Sequence, residues 1–109
     1  MSVLSGMLVV ALEQAVAAPY ASRLLAEGGA RVVKIEREEG DFARDYDHAI
    51  EGESAYFVWL NAGKESIVLD VKKPDDMAVL KNMLARADVF LQNLRPGACA
   101  RLGLDYESL

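Results

Sequence analysis

The sequence predicts an α/β fold, an open parallel sheet with helices on its faces. Two observations predict it. First, four runs rich in apolar and β-branched residues have the length of buried strands, and they lie at residues 7–12, 31–36, 65–70 and 88–93. Second, helical segments join the first run to the second and the third to the fourth, and such strand–helix–strand spacing implies parallel crossovers. The predicted order is therefore β-α-β-loop-β-α-β within one domain.

The first strand, residues 7–12, is a continuous apolar run that suits a central position in the sheet. A dinucleotide-binding fold would follow it with a glycine-rich G-x-G-x-x-G turn. This chain instead has Glu-Gln-Ala-Val-Ala-Ala-Pro at residues 13–19. The sequence therefore argues against an NAD or FAD site of the usual kind.

The helix after the first strand is predicted at residues 19–27. Pro19 suits the first helical position, and Gly28 with Gly29 supplies a left-handed stop. The apolar face of this helix is predicted to consist of Ala21, Leu24 and Leu25.

Residues 38–53 are polar and acidic, and we interpret them as a long surface loop. Its charged residues are expected to be solvated, namely Asp41, Arg44, Asp45 and Asp47. His48 is the only histidine, so no nucleophile–base pair can be argued from it. Residues 55–60 are ambiguous, because their aromatic residues favour a strand while Ser54 is a good helix N-cap.

A second long helix is predicted to begin at Pro74, where two aspartates complement the positive end of the helix dipole. Its buried stripe is predicted to consist of Met77, Leu80, Met83, Leu84 and Ala87. After the fourth strand, Pro96 and Gly97 form a turn into a short element at residues 98–102.

Composition and charge restrict the function classes. The chain has 109 residues, 52% hydrophobic and 27% charged, which suits one soluble domain with a single core. No apolar run approaches the ~20 residues of a membrane span and no signal-type segment is recognised, so we expect a cytoplasmic protein without a membrane partner. The net charge of −5 argues against nucleic acid as a partner. Cys99 is the only cysteine, which excludes an internal disulfide and a multi-cysteine metal site, and we assign no metal.

Polar and charged residues follow the carboxyl ends of the predicted strands. They are Gln14, Arg37, Asp70, Lys72, Asn93 and Arg95. Open α/β sheets bind ligands in the crevice along this edge. Basic residues near it in an acidic protein indicate an anionic ligand, and they are Arg37, Lys72, Arg95 and Arg101. The alternative is that each of them pairs with a neighbouring acid.

Several short motifs follow one another along the chain. They are small residues before Pro19, then Gly29-Ala30-x-Val32-Val33-Lys34-Ile35-Glu36, Gly40-Asp41-x-x-Arg44, Asn61-x-x-Lys64-x-Ser66-Ile67-x-Leu69-Asp70-x-Lys72, Ala87-Asp88-Val89, Asn93-Leu94-Arg95-Pro96-Gly97 and Leu102-Gly103-Leu104-x-Tyr106. Together, and in this order, they resemble the class III CoA-transferases. That group includes formyl-CoA transferases, the carnitine and bile-acid CoA-transferases, and the related α-methylacyl-CoA racemases.

The resemblance implies that residues 1–109 are the amino-terminal part of a Rossmann-like large domain that holds coenzyme A. It implies a chain several times longer, whose two subunits interlock as a homodimer, with an acyl-CoA and a carboxylic acid acceptor as substrates. It also recasts residues 56–60 as a short helix. The CoA contacts that it implies by position are Ala15, Val16, Arg37, Leu69, Asp70, Val71, Lys72, Asn93, Leu94, Arg95 and Arg101.

The resemblance further implies an aspartate nucleophile that takes the acyl group as a mixed anhydride and then carries CoA as a thioester. In the family this aspartate lies in a segment beyond residue 109, and no aspartate of this sequence matches its motif. We therefore assign no catalytic residue and expect the 109 residues alone to be inactive. Two alternatives stay open, an α-methylacyl-CoA racemase, and a non-catalytic CoA-binding module or complementing subunit.

Overall fold

The computed structural model describes residues 3–50 and 52–109, so residue 51 of the predicted loop lies outside the described residues. Within these ranges the strands are β1 (Leu8–Leu12), β2 (Arg31–Glu36), β3 (Glu65–Val68) and β4 (Val89–Gln92). The helices are α1 (Ala17–Glu27), α2 (Ala55–Leu60), α3 (Pro74–Leu84) and α4 (Ala98–Leu102), and a 3₁₀ turn spans Phe42–Asp45. None of the helices in these two ranges is long and apolar enough to cross a membrane.

The strands form one sheet in the order β3-β2-β1-β4, and all pairs are parallel. This confirms the predicted α/β class and the central position of β1. Val9 of β1 pairs with Val32 of β2 on one side and with Val89 of β4 on the other. Because β2 and β4 lie on opposite sides of β1, a topological switch point falls between β1 and β4, and open α/β sheets bind ligands at such points.

Hydrophobic cores lie on both faces of the sheet. Side chains alternate along a strand, so consecutive residues of β1 enter different cores. Val10 belongs to a core with Leu80 of α3 and Cys99 of α4. Val9 belongs to a second core, against which Leu25 of α1 packs. Helices therefore cover both faces, as the sequence predicts.

Helix α1 differs from its prediction in two ways. It begins at Ala17 rather than Pro19, and the proline is tolerated because N–H groups of a first helical turn have no intrahelical partner. The predicted apolar face is only partly right, since Leu25 packs against a core but Leu24 is 49% exposed and Ser22 is fully buried. The hydroxyl of Ser22 donates to the carboxylate of Glu13, so a polar contact faces the sheet where apolar residues were expected.

Residues 55–60 form helix α2 rather than a strand. The Oγ of Ser54 accepts a hydrogen bond from the backbone N–H of Phe57 at 3.2 Å, which is the N-cap geometry. Tyr56 and Trp59 are half exposed. The cap therefore outweighs the strand preference of the aromatic residues, and the short helix implied by the family resemblance is confirmed.

β4 forms one edge of the described sheet and is less buried than a strand covered on both sides. Its residues Val89, Phe90 and Leu91 are half-buried. β3, the other edge strand, ends at Val68, two residues before the predicted end. The backbone N–H of Leu69 still donates to the carbonyl of Glu36 at 3.0 Å, which aligns the following turn with the end of β2.

Candidate functional site

A cleft of about 340 Å³ opens at the carboxyl edge of the sheet. Residues that follow each strand line it, namely Glu13 and Gln14 after β1, residues 37–41 after β2, residues 69–72 after β3, and Leu94 after β4. Ligand pockets in proteins have volumes of about 300–1,000 Å³. The edge identified from the sequence therefore contains a concave site of sufficient size for part of a ligand.

Arg37 is a basic residue of the cleft and is held in place by two contacts. Its Nε donates to the carbonyl of Gly40 at 2.9 Å. Its guanidinium carbon lies 4.2 Å from the centre of the Phe42 ring. A planar guanidinium held in this way can bind phosphate oxygens in a bidentate manner.

Lys72 enters the cleft from a tight turn after β3. The backbone N–H of Lys72 donates to Asp70 Oδ1 at 3.0 Å. The backbone N–H of Asp70 donates in turn to Asp76 Oδ2 of α3 at 2.8 Å. The carboxylate of Asp70 therefore shapes the turn, and Lys72 is a second basic residue that lines the cleft.

Asn93 connects the ends of β4 and β1. Its Oδ1 accepts a hydrogen bond from the backbone N–H of Gln14 at 3.0 Å, and its Nδ2 donates to the carbonyl of Gln14 at 2.9 Å. Asn93 thus fixes the backbone on both sides of Gln14, at the switch point of the sheet.

The structure brings several of the predicted CoA contacts together in the cleft, namely Arg37, Leu69, Asp70, Val71, Lys72 and Leu94. Others do not line it, and these are Ala15, Val16, Asn93, Arg95 and Arg101. Ala15 and Val16 continue directly from Gln14, which does line it. The guanidinium of Arg101 folds back along α4 toward Gly97. A Cβ atom placed on Gly97 would lie 3.1 Å from Arg101 Nη1.

A buried ionic network that the sequence analysis missed borders the cleft. Lys34 Nζ donates to Asp41 Oδ2 at 2.8 Å and to Glu13 Oε2 at 3.1 Å. Lys64 Nζ donates to the same oxygen of Glu13 at 2.7 Å. All four side chains are at most 1% exposed. Two ammonium groups and two carboxylates thus balance one another, as buried charges must.

Glu36 and Arg44 extend this network to the surface. Arg44 donates through Nε and Nη2 to the two carboxylate oxygens of Glu36, at 2.8 and 3.0 Å. Glu36 Oε1 also accepts from the backbone N–H of Asp41 at 3.0 Å. The prediction that Asp41 is solvated was therefore wrong, since this residue is 3% exposed. The polar composition of the loop reflects partners at the end of β2 as well as contact with water.

Lys34 is the residue from which this network could have been predicted in the sequence. It lies in β2 between Val33 and Ile35, and all three residues are buried. A charged side chain in a central strand requires a buried partner. The motifs that carry the family resemblance contain three members of the network, Lys34, Asp41 and Lys64. They also contain two of its neighbours, Arg44 and Asn61.

Burial and hydrogen bonding have opposite effects on the pKa values of two residues in the network. Burial lowers the pKa of Lys64, and its contact with Glu13 opposes that effect. Burial by itself would raise the pKa of Asp41, but hydrogen bonds from Lys34 and from two backbone N–H groups outweigh it and hold the pKa below the usual value. Asp41 therefore remains ionised in moderately acidic solution.

Asp41 should make the stability of the protein depend on pH. A carboxyl group whose pKa is lower in the folded state stabilises the fold above its unfolded pKa, about 3.9, and loses this contribution as the pH falls through the folded value. We therefore expect the unfolding midpoint of Asp41→Asn to lie below that of the unchanged protein at pH 7, with the gap closing below about pH 4. Thermal unfolding followed by circular dichroism measures this gap, and Asp45→Asn, in the same loop, is the control. A gap that stays constant down to pH 3 would contradict a contribution from the ionised carboxylate.

The chain belongs to CoA-transferase family III, whose sequence model matches residues 4–109. It is 42% identical over 105 residues to the acetyl-CoA:oxalate CoA-transferase of Acetobacter aceti, covering 95% of this chain and 27% of that one. It is also 42% identical over 111 residues to the cinnamoyl-CoA:phenyllactate CoA-transferase of Clostridium sporogenes, covering 96% and 27%. The chain thus spans about a quarter of the length of these relatives.

A solved structure supports the same grouping. A CAIB/BAIF family protein from Brucella suis superposes with a TM-score of 0.92 at 36% sequence identity. The match covers 98% of this chain and 30% of that one. The family resemblance inferred from the motifs and the open α/β fold are therefore both confirmed.

Proposed function

We propose that this chain provides the CoA-binding site of an enzyme that transfers CoA from an acyl-CoA thioester to a carboxylic acid. The observation that carries the proposal is the match of residues 4–109 to CoA-transferase family III. The cleft adds support, because it lies at the carboxyl ends of the strands and contains Arg37 and Lys72. On this proposal, residues 1–109 are the amino-terminal part of a larger CoA-binding domain.

The cleft offers two kinds of contact for an acyl-CoA. Arg37 and Lys72 would bind phosphate groups of the nucleotide, since both are cationic and line the same cavity. Leu69, Val71 and Leu94 add apolar surface for the uncharged parts of the molecule. CoA is an extended ligand, so we also propose contacts along the same edge of the sheet with residues outside the cleft, namely Ala15, Val16, Asn93, Arg95 and Arg101.

In the proposed reaction, a carboxylate of the enzyme attacks the thioester carbonyl, the C–S bond breaks, and CoA departs as the thiolate. The enzyme then carries the acyl group as a mixed anhydride. The thiolate then attacks the anhydride at the carbonyl carbon that derives from the enzyme carboxylate. This step releases the first acid and forms an enzyme thioester. The acceptor carboxylate next attacks the enzyme thioester, which releases the thiolate and forms a second anhydride. The thiolate then attacks the acceptor carbonyl carbon of this anhydride, which gives the new acyl-CoA and restores the enzyme carboxylate. The residues described here would retain CoA between these steps, and we assign no nucleophile among them. The homodimer, which the family resemblance implies, and the cytoplasmic location stay predictions.

Replacing Arg37 with alanine in the complete enzyme is expected to raise the KM for an acyl-CoA about 10- to 150-fold. This range corresponds to the loss of one hydrogen-bonded contact to a charged group, about 1.5–3 kcal/mol. Steady-state kinetics with acetyl-CoA and succinyl-CoA, and calorimetric titration with CoA, measure the effect. Lys72→Ala should act in the same direction.

The matched control is Lys73→Ala, which removes the same charge one residue further on, outside the cleft. It should leave KM unchanged. Equal effects of Lys72→Ala and Lys73→Ala would mean that net charge, rather than this cleft, attracts the ligand. Two results together would favour a racemase over a transferase. The unchanged enzyme would fail to exchange CoA between an acyl-CoA and free acids, and the α-hydrogen of a 2-methylacyl-CoA would be lost to solvent.

A further inference from the structure

The turn between β1 and α1 contains an unusual backbone conformation. Ala15 has a φ angle of +64°, and among the described non-glycine residues it is the only one with a positive φ. A residue with a Cβ adopts this left-handed region only at an energetic cost, so other contacts must stabilise it there. The turn lies at the switch point of the sheet and begins with Gln14, which lines the cleft.

One side chain holds Ala15 directly. The backbone N–H of Ala15 donates to Asp41 Oδ1 at 2.8 Å, across 26 residues of sequence. The same oxygen accepts from the backbone N–H of Ala43 at 2.9 Å. Asn93 holds the preceding residue, Gln14, from the other side. The turn is therefore held on two sides, by the loop at residues 38–53 that follows β2 (the β2 loop) and by Asn93 at the end of β4.

The carboxylate of Asp41 is itself fixed. Its second oxygen accepts from Lys34 Nζ at 2.8 Å, and Lys34 also contacts Glu13, the residue just before Gln14. Both oxygens of Asp41 are therefore engaged by protein donors. The ammonium group of Lys34 also compensates a negative charge that would otherwise face an anionic ligand in the cleft.

We propose that Asp41 is a positioning residue of the acyl-CoA site, which holds Ala15 in its left-handed conformation and so sets the wall of the cleft at Gln14. This inference rests on the proposed function, because the turn is taken to border the bound acyl-CoA. Asp41 also lines the cleft, but protein donors engage both of its carboxylate oxygens, so it acts through the backbone of Ala15. Its effect belongs to the binding of the thioester and not to the acyl transfer itself.

Two double variants isolate the hydrogen bond from the ion pair. Lys34→Met/Asp41→Asn and Lys34→Met/Asp41→Ala both remove the Lys34–Asp41 pair, but only asparagine keeps an acceptor for the N–H of Ala15. We expect the alanine variant to have a KM for acetyl-CoA about tenfold higher than the asparagine variant, with kcat at saturation differing by less than about twofold. Adding Ala15→Gly to the alanine variant should recover part of the loss, because glycine adopts a positive φ without strain.

The single variant Ala15→Gly tests the clamp in a protein whose network is intact. If Asp41 holds the turn, the amide of residue 15 should stay protected from hydrogen exchange in this variant, since the hydrogen bond still selects the conformation. Rapid exchange of this amide would overturn the proposal, and so would equal KM values for the two double variants. A general loss of stability would instead lower the apparent kcat by reducing the amount of folded enzyme, with equal KM values for the two double variants and no rescue by glycine, and it would also overturn the proposal.

Hydrogen exchange of the Ala15 amide separates this proposal from the proposed function. The amide should be protected in the unchanged protein and in the asparagine variant, and exchange rapidly in the alanine variant. That pattern together with no affinity of the unchanged protein for CoA would refute the proposed function while leaving the clamp in place. An Ala15 amide that exchanges equally fast in all three proteins would refute the clamp, whatever the affinity for CoA.

Discussion

Replacing Lys34 with methionine is expected to lower the free energy of unfolding by about 3–5 kcal/mol, because removing one partner of a buried ion pair leaves an uncompensated charge. Lys34 is 1% exposed and contacts Asp41 at 2.8 Å and Glu13 at 3.1 Å. Glu13 keeps Lys64 at 2.7 Å, so Asp41 is the carboxylate that loses its lysine. Urea denaturation followed by circular dichroism measures the change.

The matched control for this variant is Arg31→Met in the same strand. Arg31 pairs with Glu65 at 2.7 Å, but the two side chains are 67% and 58% exposed, so solvent screens the interaction and the loss should be small. The double variant Lys34→Met/Asp41→Asn should recover part of the Lys34 effect, because the asparagine carries no charge. Similar losses for Lys34→Met and Arg31→Met would show that the buried network contributes no more than a surface pair.

Replacing Leu80 with alanine is expected to destabilise the fold by about 2–5 kcal/mol, the range found when a large buried side chain leaves a cavity. Leu80 lies in α3, is fully buried, and belongs to the core that contains Val10 of β1 and Ile35 of β2. The loss reflects both removed contacts and incomplete collapse of the surrounding side chains. Thermal and urea unfolding measure it.

The neighbouring residue Val79 provides the control. It is 42% exposed in the same helix, so Val79→Ala should change the unfolding free energy by no more than about 0.5 kcal/mol. A comparable loss at the two positions would mean that α3 does not pack on the sheet through Leu80. The comparison also tests the rotation of α3, because a small turn of the helix would exchange the burial of the two residues.

The strand order illustrates what local patterns can predict. The run that contains Val9 and Val10 is apolar at every position, and only a strand covered on both faces requires that. The crossover through α1 then makes β2 parallel to β1, and the structure places β2 and β4 on the two sides of β1. The carboxyl ends of the strands must share one edge in such a sheet, so the general location of the cleft, and Arg37 and Lys72 within it, followed from the element order.

The rotation of α1 shows where such patterns fail. Leu24 is apolar but half exposed, whereas the polar residue Ser22 is buried against Glu13. A helical pattern of apolar residues assumes that hydrophobicity decides which face is buried. Here the buried network provides a polar partner beneath the helix, and the pattern therefore places Leu25 correctly but misplaces Leu24 and misses Ser22.

The sequence by itself determined the class of fold, the order of its elements, the family and the edge of the sheet at which a ligand would bind, because these depend on periodicity and motifs within short segments. Only the tertiary structure decided which charged residues share the buried space. Glu13 and Lys64 are 51 residues apart, and Asp41 reaches Ala15 across 26 residues. Such pairings depend on how the β2 loop folds back over the end of β1, and no local spacing specifies the partner of Lys34. The physical reason is that a buried charge requires a counter-charge, but the requirement does not state where in the chain that counter-charge lies.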